Sequence, residues 1–398
     1  MASAAEIPKA AGVAPTNRPT HVGKQEMSKE EDNDGPSIAP DNACDEPAPQ
    51  APGGAGKGAI AKDDKGKEFD KVYGVRPKTT WQLKPPKQWT LWEFIASLDI
   101  CPPATYKKRD AKEPLRGPPP EHPMSTENFF ILRTAVMPLA VHWAWNHFLP
   151  DHKMHWAPAW VFYHLSFIVF ARLMIGRLHG YMEKYGTFDE LNRGRDMVDD
   201  RHVNHLGRSI FIYTVFRTMG PFFLGWRGDM TNPFDGLNIY SPLKIAVFEI
   251  ALDYWFYLYH RSTHEFDCLW FIHRQHHATK HPTPILSILA DDIQECIEIF
   301  IVPFLASCVA PKMSFAEYHF AIAYLLYVEA LGHSGIRAMW PHPLLGMVLR
   351  PLGMELAVED HDLHHRFGKS GKNYGKQTRI WDRIFGTIGE RIECPSAF

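Results

Sequence analysis

The sequence predicts an all-α fold: a membrane helical bundle of about four transmembrane helices, with a histidine-rich helical cap on the cytosolic side. Three observations predict it. From Asn128 onward the chain consists of long apolar stretches with occasional polar interruptions. Three histidine clusters at helical spacing follow the last long stretch. Residues that are 45% hydrophobic and 13% aromatic overall can supply both a core and a lipid-facing surface.

Residues 1–75 are rich in Pro, Ala, Gly, Asp and Lys and lack apolar periodicity. Burial there cannot offset the entropy of ordering, so a disordered tail is expected. No charged-then-apolar run opens the chain, so insertion is expected to use internal segments. Residues 76–127 read as an interfacial, juxtamembrane segment: Trp81, Trp89, Trp92 and Phe94 suit a headgroup layer, and Pro118, Pro119 and Pro120 punctuate the chain. Residues 128–398 read as one catalytic domain in the membrane. Its stretches 129–148, 158–176, 209–225 and 243–259 approach the length of about 17–25 residues that crosses a bilayer core. Arg133, His142, His164, Arg172 and Arg217 fall inside them and must face protein or water. Two further stretches, 297–309 and 315–331, are divided by Pro311-Lys312 and read as a shallow hairpin. The competing reading is a soluble bundle of buried helices. The mean hydropathy of -0.27 is low for a transporter, but the polar tail and cap both depress it.

A net charge of -2 excludes the dominant basic surface of a nucleic-acid binder. Cys44, Cys101, Cys268, Cys296, Cys308 and Cys394 are scattered without a Cys-x-x-Cys pair and are expected to be free thiols.

The chemistry is written in the histidines. His260 and His264 form a His-x-x-x-His pair, while His273, His276 and His277, and again His361, His364 and His365, form His-x-x-His-His. Spacings of three and four place side chains on one helix face, so each cluster can aim its imidazoles toward one point. Random placement would put fewer than one of the 22 histidines in these fifteen positions, yet they hold eight. Eight imidazoles exceed the four ligands of one tetrahedral site, which predicts two metal ions. Imidazole suits several metals. Iron is favoured because a site at the membrane end of apolar helices would receive a hydrocarbon chain, whose C–H bonds need an activated-oxygen oxidant that zinc cannot generate. The zincin order His-Glu-x-x-His is absent. Arg261, Arg274, Lys280, Arg366, Lys369 and Lys372 flank the clusters and favour the cytosolic side.

In these motifs the chain resembles the fatty acid hydroxylase and sterol desaturase superfamily, the membrane-bound histidine-motif di-iron oxygenases. The resemblance covers roughly residues 243–393. It rests on Asp253-x-x-x-Tyr257-x-x-His260-Arg261-x-x-His264, His273-x-x-His276-His277, Gly332-His333-Ser334-Gly335 and His361-Asp362-x-His364-His365, and on the ending Asn373-Tyr374-Gly375 with Trp381-Asp382-Arg383. It implies a multi-pass endoplasmic-reticulum enzyme whose active site faces the cytosol, with two non-haem irons and O2 as co-substrate. Electrons would come from NAD(P)H through a separate reductase and cytochrome b5, since the chain has no His-Pro-Gly-Gly stretch. The implied metal ligands are His260, His264, His273, His276, His277, His333, His361, His364 and His365. The product would be a hydroxylated or desaturated lipid such as a fatty acyl chain or sterol. The stretch Asp291-Asp292-Ile293-Gln294-Glu295 departs from the His-Pro before a glutamate that sterol-oxidising relatives often carry, which weakens any sterol assignment.

The remaining candidates have plainer readings beside functional ones. Asp253 and Glu295 could orient ligand imidazoles or form ordinary salt bridges. His202 and His205 read as a solvated connector, His281 as a loop histidine, and His142, His147, His152 and His155 as interfacial. Tyr254, Trp255, Phe256, Tyr257 and Tyr259 suit either a substrate channel or an interface belt. Lys369, Lys372 and Lys376 could meet lipid headgroups or an acidic face of cytochrome b5. The rival functions are a histidine-rich zinc transporter, which would carry histidines at mid-membrane on repeated halves, and a non-catalytic sterol-binding protein.

Overall fold

The structure is a computed structural model that describes residues 81, 84–98, 117–188, 198, 200–340 and 342–394. The tail expected over 1–75, with Cys44, and likewise Cys101, lies outside the described residues. The described elements are helical, with isolated bridges in place of strands. In chain order they are α1 (Leu91–Ser97), α2 (Met124–Phe148), α3 (Trp156–Tyr185), α4 (Val203–Gly225), α5 (Ser241–Glu265), α6 (Trp270–His273), α7 (Asp292–Cys296), α8 (Val302–Val309), α9 (Phe315–Gly332), α10 (Gly346–Leu349), α11 (Val358–Phe367) and α12 (Ile380–Phe385).

Each of the four long apolar stretches falls within one long helix, α2 to α5. Among the described residues only α3 is both long and apolar enough to cross a membrane by length and composition. Its residues Val161, Leu165, Val169 and Leu173, spaced by four, form an exposed apolar stripe. Phe129, Met137 and Phe148 are likewise exposed on α2.

The hairpin expected over 297–331 is something different. A π-turn, Ile297–Ile301, joins α7 to α8, and α9 returns through the centre of the molecule. A capping box starts α9: Ser314 Oγ accepts from the Glu317 N–H, and Glu317 accepts from the Ser314 N–H. Almost every side chain of α9 is buried, because the helix packs against α2, α3, α4 and α5 at once. Apolar all round, it has no polar face to give to water. Gly225 lets the end of α4 approach the start of α9, where an added Cβ would lie 2.7 Å from Phe315 Cα.

Polar groups inside the stretches are handled individually. Arg217 is buried; it donates to the Glu298 carbonyl (2.9 Å) and lies 3.7 Å from Glu329. His164 donates to the Thr214 carbonyl (3.0 Å). Arg133 and Arg172 are exposed. His142 is not interfacial: it is fully buried, hydrogen-bonded to Tyr163 and stacked on Trp226, because α2 turns that face inward. His147, His152 and His155 are exposed. His205 is no solvated connector either, since it sits in the first turn of α4 and donates to the Ala290 carbonyl. Cys268, Cys296, Cys308 and Cys394 are free.

Candidate metal centre

The nine nominated histidines come from four places in the fold. His260 and His264 lie one turn apart near the end of α5; His273 ends α6, and His276 and His277 open the 3-10 turn that follows. His333 caps the C-terminus of α9, and His361, His364 and His365 lie on α11. All are buried and they gather into two adjoining groups: His260, His264, His273, His277 and His364, and His276, His333, His361 and His365.

This division departs from the expectation that each cluster aims at one point. In each His-x-x-His-His run the outer pair serves one group and the middle histidine the other: His273 and His277 against His276, and His361 and His365 against His364. On α11 residues i and i+4 lie about 40° apart, whereas i+3 and i+4 are about 100° apart and point to different groups; the 273–277 run divides in the same pattern across the end of α6 and the 3-10 turn after it. The two runs divide in opposite senses, which brings the groups side by side. The ring centroids of His277 and His365, one from each group, are 4.7 Å apart.

The hydrogen bonds set the tautomers. Nδ1 donates to the carbonyl of Tyr374 from His260 (2.8 Å), Lys369 from His264 (3.1 Å), Leu289 from His276 (3.1 Å), Glu329 from His333 (2.7 Å), Lys372 from His364 (2.9 Å) and Thr279 from His365 (3.1 Å). His273 Nδ1 donates to Gln294 Oε1 (2.9 Å), whose own amide donates to Glu298. With the proton on Nδ1, each Nε2 presents a lone pair to the interior. For His260, His264, His273 and His365 that atom has no hydrogen-bond partner, and the Nδ1 atoms of His277 and His361 have none.

Such an arrangement fits a cation. The Nε2 atoms of His276 and His333 face each other at 3.1 Å with both protons committed elsewhere, so two lone pairs meet with nothing between them. His361 to His333 is 2.9 Å and His364 to His277 is 3.1 Å between Nε2 atoms. With metal–nitrogen bonds of about 2.1 Å, neighbouring ligands at right angles lie about 3.0 Å apart, against about 3.4 Å in a tetrahedron. Five histidines in one group also exceed the four of a tetrahedral zinc site. Burial lowers the pKa of His264 to about 4 and of His276 to about 3; for the other seven, burial aided by neighbouring imidazoles holds it well below the ordinary value. All nine are therefore neutral at pH 7, the state that binds metal.

The supporting shell differs from the one nominated. Asp253 does not touch a histidine; its carboxylate accepts from the backbone N–H groups of Lys376, Gln377 and Thr378 and from the Thr378 hydroxyl. It thereby pins the loop whose Tyr374 carbonyl orients His260. The Glu295 carboxyl group lies beside Ser209 rather than a histidine, and burial raises its pKa to about 7. Its neighbour Gln294 holds His273 instead, a role that a lone Gln gave no sequence signal to find. Lys376 meets neither headgroup nor partner. It is buried between Glu298 (2.8 Å) and Glu329 (2.6 Å); burial opposes its charge, but those carboxylates outweigh it and hold the pKa above the ordinary value. Lys369 pairs with Asp267, and Lys372 is exposed. Phe256 and Tyr257 are buried and form no interface belt: Tyr257 bonds Thr387 and stacks on Phe385, and Phe256 lies under Lys376. A cavity between α2, α3, α4 and α9, lined by Pro138, Phe167, Phe170, Pro221, Phe222 and His319 among others, does not include the nine histidines of the two groups.

Each of the two adjoining groups of buried histidines could hold a metal ion. Residues 245–387, which contain all nine histidines, match the family model described as Fatty acid hydroxylase. Similar proteins include fatty acid hydroxylase vlmA of Lecanicillium sp, 43% identical over 155 residues that make up 37% of this chain and 42% of that protein. Alkylglycerol monooxygenase of Xenopus tropicalis is 26% identical over 37% of this chain and 31% of its own length, and that of Danio rerio 28% identical over 35% and 29%. The chain thus spans less than half the length of these relatives. No solved structure matches.

Proposed function

We propose that this protein is a membrane-bound non-haem di-iron oxygenase that hydroxylates, or desaturates, a lipid. The observation that carries the reading is the pair of groups of neutral, pre-aimed imidazoles, each with more donors or shorter spacings than a tetrahedral zinc site needs. The similarity to a fatty acid hydroxylase and to alkylglycerol monooxygenases supports it. The exposed apolar stripes on α2 and α3 support a bilayer setting, since soluble monomers rarely expose contiguous apolar surface of this kind.

Two bound irons would supply the activation of O2 that an unactivated C–H bond requires. The chain's own groups do the rest. His260, His264, His273, His277 and His364 would hold one ion, and His276, His333, His361 and His365 the other. The carbonyls behind them fix each ring, and burial keeps the nitrogens unprotonated and bulk water away. Electrons would arrive from NAD(P)H through a reductase and cytochrome b5, on an endoplasmic-reticulum membrane with the centre facing the cytosol. A zinc transporter is disfavoured because the histidines gather at one end of the bundle rather than along it.

The test combines metal analysis and O2 consumption on purified protein with lipid profiling of cells carrying His276→Ala and His277→Ala. Two irons per chain, and a lipid product lost in the folded, inserted double variant, are expected. An unchanged profile overturns the proposal.

A further inference from the structure

Apart from the histidine groups, the described residues hold a second concentration of buried polar atoms without partners. Glu249 on α5 is fully buried, and neither carboxylate oxygen has a hydrogen-bond partner. His342, in the loop after α9, points Nε2 at it from 3.7 Å, beyond hydrogen-bonding distance. Gln377 is fully buried; its amide lies against His342 outside good hydrogen-bonding geometry, and neither amide atom has another partner. Leaving such atoms unsatisfied is costly, so this convergence from three separate segments calls for an occupant.

The chemistry of the three groups selects the occupant's class. His342 Nδ1 accepts from the backbone N–H groups of Leu344 (3.2 Å) and Leu345 (3.1 Å), so the ring proton is on Nε2. A protonated Nε2 cannot ligate a metal. An anion would face the Glu249 carboxyl group. A hydroxyl satisfies every party: its oxygen accepts from His342, its proton goes to Glu249, and Gln377 can take either role. An oxygen placed about 2.8 Å from both His342 Nε2 and Glu249 would bridge them.

The site lies nearer the start of α5 than the metal groups do. Glu249 precedes His260 by eleven residues on the same helix, about 16 Å along its axis. Asp253, one turn nearer the histidines, pins the 376–378 backbone and so fixes Gln377 in place. We propose that Glu249, His342 and Gln377 bind the hydroxyl head of the lipid substrate and hold it away from the metals, so that oxidation falls on a distant carbon. This rests on the oxygenase reading for the word substrate, but not for binding.

The test uses the full-length, metal-loaded protein in detergent and reads binding without turnover. Hexadecan-1-ol and its methyl ether, which accepts but cannot donate, compete against tritiated hexadecan-1-ol on wild type, His342→Phe and Gln377→Leu, with metal content and thermal unfolding recorded for each. The alcohol is expected to compete about tenfold better than the ether on wild type, and this preference should collapse in both variants while two metals remain bound. Gln377→Leu keeps the test alive should His342→Phe fail to fold, because the amide it removes meets only His342, outside good hydrogen-bonding geometry. Equal competition on wild type, absence of binding, or a preference retained in the variants overturns the proposal and leaves an internal water as the occupant. Failure of O2 consumption would sink the oxygenase reading while leaving this measurement intact.

Discussion

Single residues divide the centre into two separable halves. His264 belongs to the five-histidine group and His365 to the other, so each alanine variant should lower bound metal from about two toward one per chain, and the double variant should abolish it. Metal analysis of the purified proteins checks this; loss of both ions in either single variant would mean that the groups load as one unit. Gln294 makes a subtler case. Its Oε1 holds the His273 ring, so Gln294→Ala should weaken metal binding by roughly 10–100-fold without removing a ligand. A metal titration against a competing chelator reads that change directly. Eight of the nine ligand histidines were legible in the sequence because their number and spacing are improbable by chance, and His333 was named only through the family resemblance. Gln294 was not legible, because nothing local distinguishes an amide that points at an imidazole from one that points at water.

At the level of elements, two contacts carry the cap. Lys376, between Glu298 on the π-turn and Glu329 on α9, joins three segments around the histidines. Lys376→Met would remove the cation that the two carboxylates share, leaving Glu298 to Gln294 and Glu329 to Tyr213 and Arg217, and should cost about 3 kcal/mol, seen as a fall in Tm. An unchanged Tm would show that the network is dispensable. Gly207 on α4 faces the backbone of α1, where an added Cβ would lie 2.2 Å from the Trp92 carbonyl oxygen. Gly207→Ala should therefore detach α1, exposing it to limited proteolysis at a cost of about 1–3 kcal/mol. The long helices could be read from apolar run length. Neither contact could, because each joins residues more than a hundred positions or several elements apart.

Across the whole molecule, buried neutral histidines couple stability to pH. Burial lowers the pKa of His264, His276 and His342 to about 4, 3 and 4, against 6.5 when exposed. Unfolding releases these rings to take up protons, so stability is complete above pH 6.5 and declines as the pH falls toward 4. The Tm of metal-stripped protein should be level from pH 8 to 7 and drop steadily from 6.5 to 4. A level profile across that acid range would mean the rings are protonated in the fold.

By itself, the sequence determined that this protein is helical, that its apolar stretches become long helices, and that eight clustered histidines are the groups to watch. Run length and residue spacing are local properties, and helices express them locally. Only the tertiary structure decided that each His-x-x-His-His run splits between two groups, that α9 is a buried central helix rather than half of a shallow hairpin, and that Lys376 is an interior ion-pair partner rather than a surface charge. Those outcomes depend on which faces meet when distant segments pack, and no window of residues contains that information.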